Sequence, residues 1–347
     1  MITPEKIFRR ILEGRLNTPK TAEAFAPSNI ALSKYWGKRD RALNLPLNSS
    51  LSISLGNLGT ETRITPSDQD CLVFNRKTLQ QSDPTAVKLW KFVDLFRGPN
   101  GPRLSIKTEN SIPTAAGLAS SASGFAALSL ALNQAFNANL DKKRLSILAR
   151  LGSGSATRSL WHGFVRWDKG EQPDGSDSHG HPINTDYQDM RIAIVTVDAE
   201  PKAKSSRDGM NHTASTSPLF HSWPEQAEKD CKAIETSLLK NDFTKLGRIA
   251  EANALAMHAT MMAARPSLNY LKSQSWQILE KLWVARMDGL EAYATIDAGA
   301  NIKLIFEKHT KSDLCQTFPT ATVINPFNST EQMRHPLALD ATADHVT

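Results

Sequence analysis

The sequence has too few cysteines to support a disulfide-stabilised fold. Its 347 residues contain three cysteines, Cys71, Cys231 and Cys315, which lie far apart and form no Cys-x-x-Cys pair. An odd number at such spacing excludes a full disulfide framework and a Cys-x-x-Cys metal site. We therefore expect a protein of a reducing compartment, the cytoplasm.

Long apolar runs and blocks of like charge are missing as well. No run approaches the ~18–20 apolar residues that span a bilayer, and the first residues lack the apolar core of a signal peptide. The net charge is +6, from 41 Lys and Arg against 35 Asp and Glu, but these residues are dispersed and form no basic tail. We expect a soluble protein that binds an anionic small molecule, with no membrane and no nucleic acid among its partners.

The length of the chain predicts two lobes, because single hydrophobic cores stop growing near ~250–300 residues. Residues 168–190 are polar and rich in turn formers, so we place a mobile loop there and the lobe boundary just after it. Residues 1–22 carry Ile7, Ile11 and Leu16 at helical spacing among basic residues, which predicts a short amphipathic helix. A helix docked on the first lobe is favoured over a membrane contact or a targeting peptide.

The segment from Thr108 to Phe136 joins a turn of small residues to a long apolar helix, with two adjacent hydroxyls where the helix begins. A helix N-terminus presents unpaired N–H groups and a partial positive charge, so a turn this bare suits a phosphate. No Gly-Lys-Ser/Thr follows the glycine, which excludes a Walker loop. The alternative is a helix start packed closely against a sheet. The candidate phosphate-binding residues are Ala116, Gly117, Ala119, Ser120 and Ser121.

Three further segments combine cationic side chains with hydroxyl or amide donors. Each, taken singly, is typical of a solvated surface loop, but the aromatic pair beside Lys34 and the planar fork of Arg158 favour anion binding. We expect the third segment, 199–220, to be a loop like the others. In chain order the segments contain Asn29, Lys34, Tyr35 and Lys38; Ser153, Gly154, Ser155 and Arg158; and Lys202, Ser206 and Arg207.

Two strand patterns bear on the site. Leu51, Ile53 and Leu55 alternate with polar residues, which predicts a half-buried strand. Asp297 lies between two apolar strands, so we expect its carboxylate to be partly buried and paired with one of the cationic loops. The alternative is an aspartate that only shapes the turn through its side-chain oxygen.

Six motifs follow one another along the chain: KYWGKRD, LPLNSSLS, PTAAGLASSASGFAAL, GSGSATRSLWHGFVRW, SSRDGM and TIDAGAN. Together, in this order, they resemble the diphosphomevalonate decarboxylase family of the GHMP small-molecule kinase superfamily. Several motifs in register are far more specific than any single loop. The resemblance implies an α+β, two-lobe fold: a helical extension at 1–22, an S5-like ATP-binding lobe at 23–190, a ferredoxin-like lobe at 191–330 and a tail at 331–347.

The resemblance also implies an activity, the ATP- and Mg²⁺-dependent decarboxylation of mevalonate 5-diphosphate to isopentenyl diphosphate. Such an enzyme belongs to isoprenoid and lipid biosynthesis, and the resemblance implies a cytoplasmic homodimer.

Site roles follow motif by motif from the same resemblance. Asp297 is implied as the catalytic base and Lys34 as the residue that orients it. Arg158 is implied as the third catalytic residue. The implied substrate-binding residues are Asn29, Tyr35, Lys38, Ser153, Gly154, Ser155, Ser206 and Arg207. The implied nucleotide-binding residues are Ala116, Gly117, Ala119, Ser120, Ser121 and Lys202, and Ser121 is the implied Mg²⁺ contact.

The sequence departs from the family pattern at Ser33, Ile296 and Ala300, where the family usually has an apolar residue, Phe and Pro. None of the three removes a catalytic group. They leave open an enzyme that acts on mevalonate 5-phosphate, or one that only phosphorylates the 3-position. RNA binding by a basic S5-like lobe is the alternative from another class, but the cationic loops lack an aromatic stacking platform.

Overall fold

The computed structural model describes residues 2–111, 120–198 and 204–328. Within these ranges the first half of the chain contains nine strands. They are β1 (Ala22–Ser33), β2 (Lys38–Asp40), β3 (Leu45–Pro46), β4 (Ser50–Pro66), β5 (Cys71–Phe74), β6 (Lys77–Leu79), β7 (Leu104–Asn110), β8 (Phe164–Trp167) and β9 (Gly180–Pro182).

Seven of these strands form one sheet around the long strand β4. The order is β6-β5-β7-β4-β8-β9, and β1 also pairs with β4, while β2 and β3 form a separate hairpin. Only β5 and β7 run parallel among the pairs that the structure describes; the other pairs are antiparallel. Because β4 pairs with β7 through its second half and with β8 through its first, it holds the whole sheet together.

In the described ranges, four α-helices accompany this sheet: α1 (Pro4–Leu12), α2 (Pro84–Arg97), α3 (Ser120–Ala135) and α4 (Lys142–Gly152). Helix α3 is rich in Ala and Leu and has no charged residue, so it forms readily and is buried along most of its length. It packs on β1 and β4 and forms the centre of the first core.

The amphipathic helix predicted near the N-terminus is docked on the protein, as expected. Ile7, Phe8 and Leu12 of α1 are buried, and the Phe8 ring packs edge-on against Phe92, 5.5 Å between ring centroids. The helix ends at Leu12, so Leu16 lies outside it and is exposed.

The second half of the chain forms a four-stranded antiparallel sheet in the order β11-β12-β10-β13. Its strands are β10 (Met190–Val195), β11 (Ala292–Thr295), β12 (Ile302–Glu307) and β13 (Thr322–Ile324). The helices of this half are α5 (Ser206–Thr216), α6 (Trp223–Leu239), α7 (Phe243–Met262), α8 (Ser273–Met287) and α9 (Lys311–Thr317).

A shared core joins the two sheets. Ile30 and Leu51 of the larger sheet pack in one cluster with Ile192 and Ile305 of the smaller sheet and with Ile234 of α6. The hydroxyl of Thr295 donates to the carbonyl of Ala31 at 2.8 Å, which fixes the end of β11 beside the end of β1. The turn that follows β11 therefore lies against the segment that follows β1.

Strand β4 differs from the half-buried strand that the alternation predicted. Leu51, Ile53 and Leu55 are buried, but so are the serines between them. Arg158 donates to the hydroxyls of Ser50 and Ser52, so the polar face of the strand is covered by the functional site rather than by water.

Residues 204–220, the described part of the segment 199–220, are also not the loop that the composition predicted. Helix α5 begins at Ser206 because the hydroxyl of Ser205 caps it, accepting from the backbone N–H of Asp208 at 3.1 Å. None of the helices in the described ranges is long and apolar enough to cross a membrane.

Candidate active site

A cavity of about 490 Å³ opens between the two halves of the structure. The segment after β1, the start of α3, a short 3-10 helix at Gly154–Arg158, the start of α5 and the turn between β11 and β12 all contribute side chains to it. Among the described residues that line it are five cations, Lys34, Lys38, Lys88, Arg158 and Arg207, and two carboxylates, Asp208 and Asp297. The charge of the wall is therefore strongly positive.

Lys34 is held by contacts on both sides of its backbone. Its N–H donates to Asn253 Oδ1 on α7 and its carbonyl accepts from Asn48 Nδ2, both at 2.8 Å. Its Nζ donates to the carbonyl of Ala31 at 2.9 Å and to Asp297 Oδ1 at 2.8 Å. Burial lowers the pKa of this ammonium, and the neighbouring Asp297 carboxylate opposes that effect.

Asp297 lies in the turn between β11 and β12 and is paired, as the sequence predicted. Its side chain is 33% exposed, whereas that of Lys34 is 2% exposed, so the carboxylate is the open end of a buried ion pair. A second ammonium, Lys303 Nζ, lies 3.3 Å from Oδ2. The backbone carbonyl of Asp297 lies 3.1 Å from His258 Nε2. Burial and the nearby Lys34 lower the pKa of His258 to about 4, so this imidazole is neutral at physiological pH.

Arg158, at the end of the 3-10 helix, is 3% exposed. Its Nε donates to Ser52 Oγ at 3.1 Å, one terminal nitrogen donates to Ser50 Oγ, and the other lies 3.5 Å from Asn29 Oδ1. Burial lowers its pKa to about 10, which leaves the guanidinium charged. The amide of Asn29 donates to Ser159 Oγ at 2.7 Å, so its carbonyl oxygen is turned toward Arg158.

A row of hydroxyls connects the start of α3 to the 3-10 helix. The Oγ atoms of Ser121 and Ser153 lie 3.4 Å apart, and those of Ser153 and Ser155 also lie 3.4 Å apart. Gly154 has to be glycine here, since a Cβ would lie 2.9 Å from the Trp167 ring and 3.0 Å from the ring of Tyr35. These neutral donors and acceptors line the same cavity as Arg158.

Tyr35 brings an unsatisfied polar atom to the cavity. Its ring packs edge-on against Trp167, 4.7 Å between centroids, and its hydroxyl is buried with no hydrogen-bond partner among the described residues. Burial raises the pKa of this phenol, so the group stays neutral. A buried neutral donor of this kind fits an acceptor oxygen on a bound molecule.

Three cations, Lys38, Lys88 and Arg207, form a separate group near the start of α5. Lys38 Nζ donates to Asn44 Oδ1 at 2.7 Å, and burial, followed by the charge of Arg207, lowers its pKa to about 8. Lys88 of α2 is exposed to solvent, and its ammonium lies over the Phe125 ring, 4.8 Å from the ring centroid. Within the described ranges, none of these three side chains lies within 4.0 Å of a carboxylate as an ion pair, so the group can accept an anion.

The structure brings together most of the residues predicted from the sequence. Those that line the cavity are Asn29, Lys34, Tyr35, Lys38, Ser121, Ser153, Gly154, Ser155, Arg158, Ser206, Arg207 and Asp297. Ser120 begins α3 but does not line the cavity. Ala116, Gly117, Ala119 and Lys202 lie outside the described residues.

Sequence reasoning missed several residues of the site. Lys88 lies in a helix to which the sequence assigned no chemistry, and nothing in its local pattern distinguishes it from a surface lysine. His258 and Asn253 lie inside α7, and the packing of that helix on β1 brings them into contact with Asp297 and Lys34. Lys303 had a signal, because it is a lysine within an apolar strand, two residues after Asn301.

The mixed α+β architecture, with a positively charged cavity between its two halves, matches solved structures that have the two-domain GHMP kinase fold. The family model of the diphosphomevalonate decarboxylase-like N-terminal domain matches residues 26–180, and that of the mevalonate 5-diphosphate decarboxylase C-terminal domain matches residues 192–344. The chain belongs to the diphosphomevalonate decarboxylase family.

Known relatives support the same conclusion. The chain is 36% identical over 306 residues to the diphosphomevalonate decarboxylase of Candida albicans, an alignment that covers 83% of this chain and 84% of the relative. The crystal structure of mevalonate diphosphate decarboxylase from Staphylococcus aureus matches with a TM-score of 0.83 at 35% identity, covering 89% of this chain and 96% of that one. The structure of MDDEF in complex with MVAPP, AMPPCP and magnesium matches with a TM-score of 0.83 at 36% identity, covering 88% and 96%.

Proposed function

We propose that this protein catalyses the ATP-dependent decarboxylation of mevalonate 5-diphosphate to isopentenyl diphosphate, releasing ADP, phosphate and CO₂. The observation that carries the proposal is the Lys34–Asp297 pair, which presents a carboxylate to a cavity whose other charged groups are mainly cations. Relatives named diphosphomevalonate decarboxylase and the MDDEF complex with MVAPP and AMPPCP support it.

The charged groups fit a substrate with two anionic ends. Arg158 suits the carboxylate at C1, because a guanidinium can form two parallel hydrogen bonds with a carboxylate. Lys38 and Arg207 suit the diphosphate, since both are cations without a carboxylate partner in the part of the chain described. Tyr35 offers its free hydroxyl as a further donor. Between the two ends, we expect the C3 hydroxyl to lie beside Asp297, which lines the same cavity.

The start of α3 fits a nucleotide and its metal. Ser121 lies there, lines the cavity and stands 3.4 Å from Ser153, and hydroxyl oxygens are ligands that Mg²⁺ accepts. We assign Mg²⁺ to Ser121, and the nucleotide to Ser120, Ser121 and the predicted contacts Ala116, Gly117, Ala119 and Lys202. When bound, ATP with Mg²⁺ supplies the phosphoryl group that makes the C3 oxygen a leaving group.

The side chains of the protein then perform the proton transfer and hold the substrate. A carboxylate oxygen of Asp297 accepts the proton of the C3 hydroxyl, and Lys34 keeps that carboxylate ionised and oriented. When the C3–O bond breaks, its electron pair leaves with phosphate. The electron pair of the C1–C2 bond forms the C2–C3 double bond, and C1 departs as CO₂. Arg158 holds C1 during this step.

The assay that tests the proposal measures ADP and CO₂ in one reaction mixture with mevalonate 5-diphosphate, ATP and Mg²⁺. Equal amounts of both products are expected, and Asp297→Asn serves as the control. ADP without CO₂ would show an enzyme that stops at the 3-phosphate. A higher kcat/KM for mevalonate 5-phosphate than for the diphosphate would assign the protein to the monophosphate.

The remaining features are inferences from the family. We propose a cytoplasmic homodimer that acts in isoprenoid and lipid biosynthesis, with the lobe boundary near residue 190. Size measurement in solution tests the dimer, and expression of 191–330 as a separate piece tests the boundary.

A further inference from the structure

A second buried lysine contacts the reactive carboxylate. Lys303 is the second residue of β12, opposite Thr295 of β11, and its side chain is 1% exposed. Its Nζ lies 3.3 Å from Asp297 Oδ2 and 3.5 Å from the carbonyl of Asn301. Lys34 occupies the other carboxylate oxygen, Oδ1, at 2.8 Å. Each oxygen of Asp297 therefore has its own ammonium.

Charge neutrality does not require this lysine. Lys34 already pairs with Asp297, and a single carboxylate cannot neutralise two ammonium groups. The rest of β12 from Ile302 to Phe306 is buried and apolar, so an apolar residue in place of Lys303 would suit the strand. Burying an ammonium is costly, and well-packed apolar residues often replace buried ion pairs without loss of stability. The position of Lys303 is therefore better explained by Asp297 than by packing.

We propose that Lys303 is a positioning residue for the reaction, whose ammonium holds Oδ2 of Asp297 so that the carboxylate stays ionised and its plane is fixed between two lysines. The inference rests on the proposed function, in which Asp297 is the base. The hydrogen bond from Lys34 to Oδ1 and the Lys303 ammonium beside Oδ2 together restrict rotation of the carboxylate, which is 33% exposed toward the cavity.

Among the described residues, the other groups that face Asp297 act on it in different ways. Lys34 approaches from the end of β1, and Arg158 from the 3-10 helix is close enough to act through its charge. His258 approaches from α7, but it is neutral and contacts the backbone carbonyl. Removing the charge of Lys303 therefore takes away the ammonium that lies nearest to Oδ2 among the described residues. Since a nearby cation favours the ionised carboxylate, its removal makes protonation of Asp297 easier.

The test is the pH dependence of kcat in Lys303→Met, measured as ADP and CO₂ release from about pH 5 to 8. We expect the acid limb to move to higher pH by about one unit or more, while the KM values for ATP and mevalonate 5-diphosphate change by less than about threefold. Lys308→Met is the matched control. It removes a lysine that follows β12 and pairs with Asp189 at 2.7 Å, away from the cavity, and should leave the acid limb in place.

Two more variants keep the test decisive. Lys303→Gln is a neutral alternative if Lys303→Met folds poorly, and Lys303→Arg keeps the charge and should restore the position of the acid limb. Acid unfolding of a destabilised variant would also move the limb, so the folded fraction of each variant is measured by circular dichroism over the same pH range, and the shift counts only where that fraction stays constant. A lower kcat with an unmoved limb in both neutral variants would show that Lys303 only supports the fold. Wild-type protein that forms neither ADP nor CO₂ would overturn the proposed function instead.

Discussion

Replacing Arg158 by lysine tests how the site holds the substrate carboxylate. A guanidinium has five N–H donors, and three hydrogen bonds join Arg158 to Ser52, Ser50 and Asn29. Two donors, one on each terminal nitrogen, are left to form a two-point contact with a carboxylate. An ammonium has three donors, so Arg158→Lys cannot satisfy the same groups and also bind a carboxylate at two points.

The expected loss is at least one hydrogen bond to a charged group. Such a bond contributes about 1.5–3 kcal/mol, which corresponds to a decrease in kcat/KM of about tenfold to hundredfold. Arg158→Lys should also raise the ratio of ADP to CO₂, because C1 is held less firmly after phosphorylation. The assay measures both products from one mixture.

A matched control uses the same substitution outside the cavity. Arg286 forms a two-point contact with Glu251, at 3.0 Å and 2.7 Å, and does not line the cavity. Arg286→Lys should lower stability without changing the product ratio. If Arg158→Lys keeps both the wild-type rate and the wild-type ratio, Arg158 does not hold the carboxylate, and the hydroxyls around it must bind something else.

Three other predictions follow from the same geometry. Asp297→Asn should lower kcat by about 10²–10⁴-fold with KM values within about tenfold, because the shape persists and the base is lost; activity near wild type would exclude Asp297 as base. Ser121→Ala should raise the Mg²⁺ concentration needed for half-maximal rate, and an unchanged Mg²⁺ titration would remove Ser121 from the metal site. Burial lowers the pKa of Lys38 to about 8, so this cation is lost as the pH rises through that value. The KM for mevalonate 5-diphosphate should therefore increase above about pH 8, with proton uptake on binding measurable by calorimetry in two buffers, and Lys38→Gln should flatten the KM profile.

The sequence predicted the groups whose chemistry is concentrated in one short segment. Lys34, Tyr35 and Lys38 stand within five residues, and the serines with Arg158 stand within six, so their composition alone marks them as unusual. Their meeting with Asp297 was predicted only because buried carboxylates need partners. The structure shows the physical means: the end of β1 lies beside the end of β11 through the hydrogen bond between Thr295 and Ala31.

The groups that sequence reasoning missed act through long-range packing. Asn253 of α7 fixes the backbone of Lys34, although the two residues are 219 positions apart in the sequence. Lys88 reaches the cavity from a helix whose sequence is that of an ordinary surface helix. The segment 199–220 was expected to be a loop but contains α5, because Ser205 caps a helix there. The cationic residues on both sides of Ser205 gave the segment the composition of a solvated loop, which concealed the helix start. The roles assigned to individual residues and the lobe boundaries stay predictions.

The charge of the cavity also constrains the order of events at C3. Loss of phosphate places positive charge on C3, and the lining of the described part of the cavity, with five cations and two carboxylates, disfavours that charge. The substrate carboxylate is the nearest group that can remove it, since the electrons of the C1–C2 bond end on C3 when CO₂ leaves. In the proposed mechanism Arg158 would hold C1 in line for that transfer, and as a cation it would not offset the charge on C3. A cationic cavity of this kind favours departure of CO₂ as soon as charge develops on C3, and it penalises an intermediate that persists long enough to meet water.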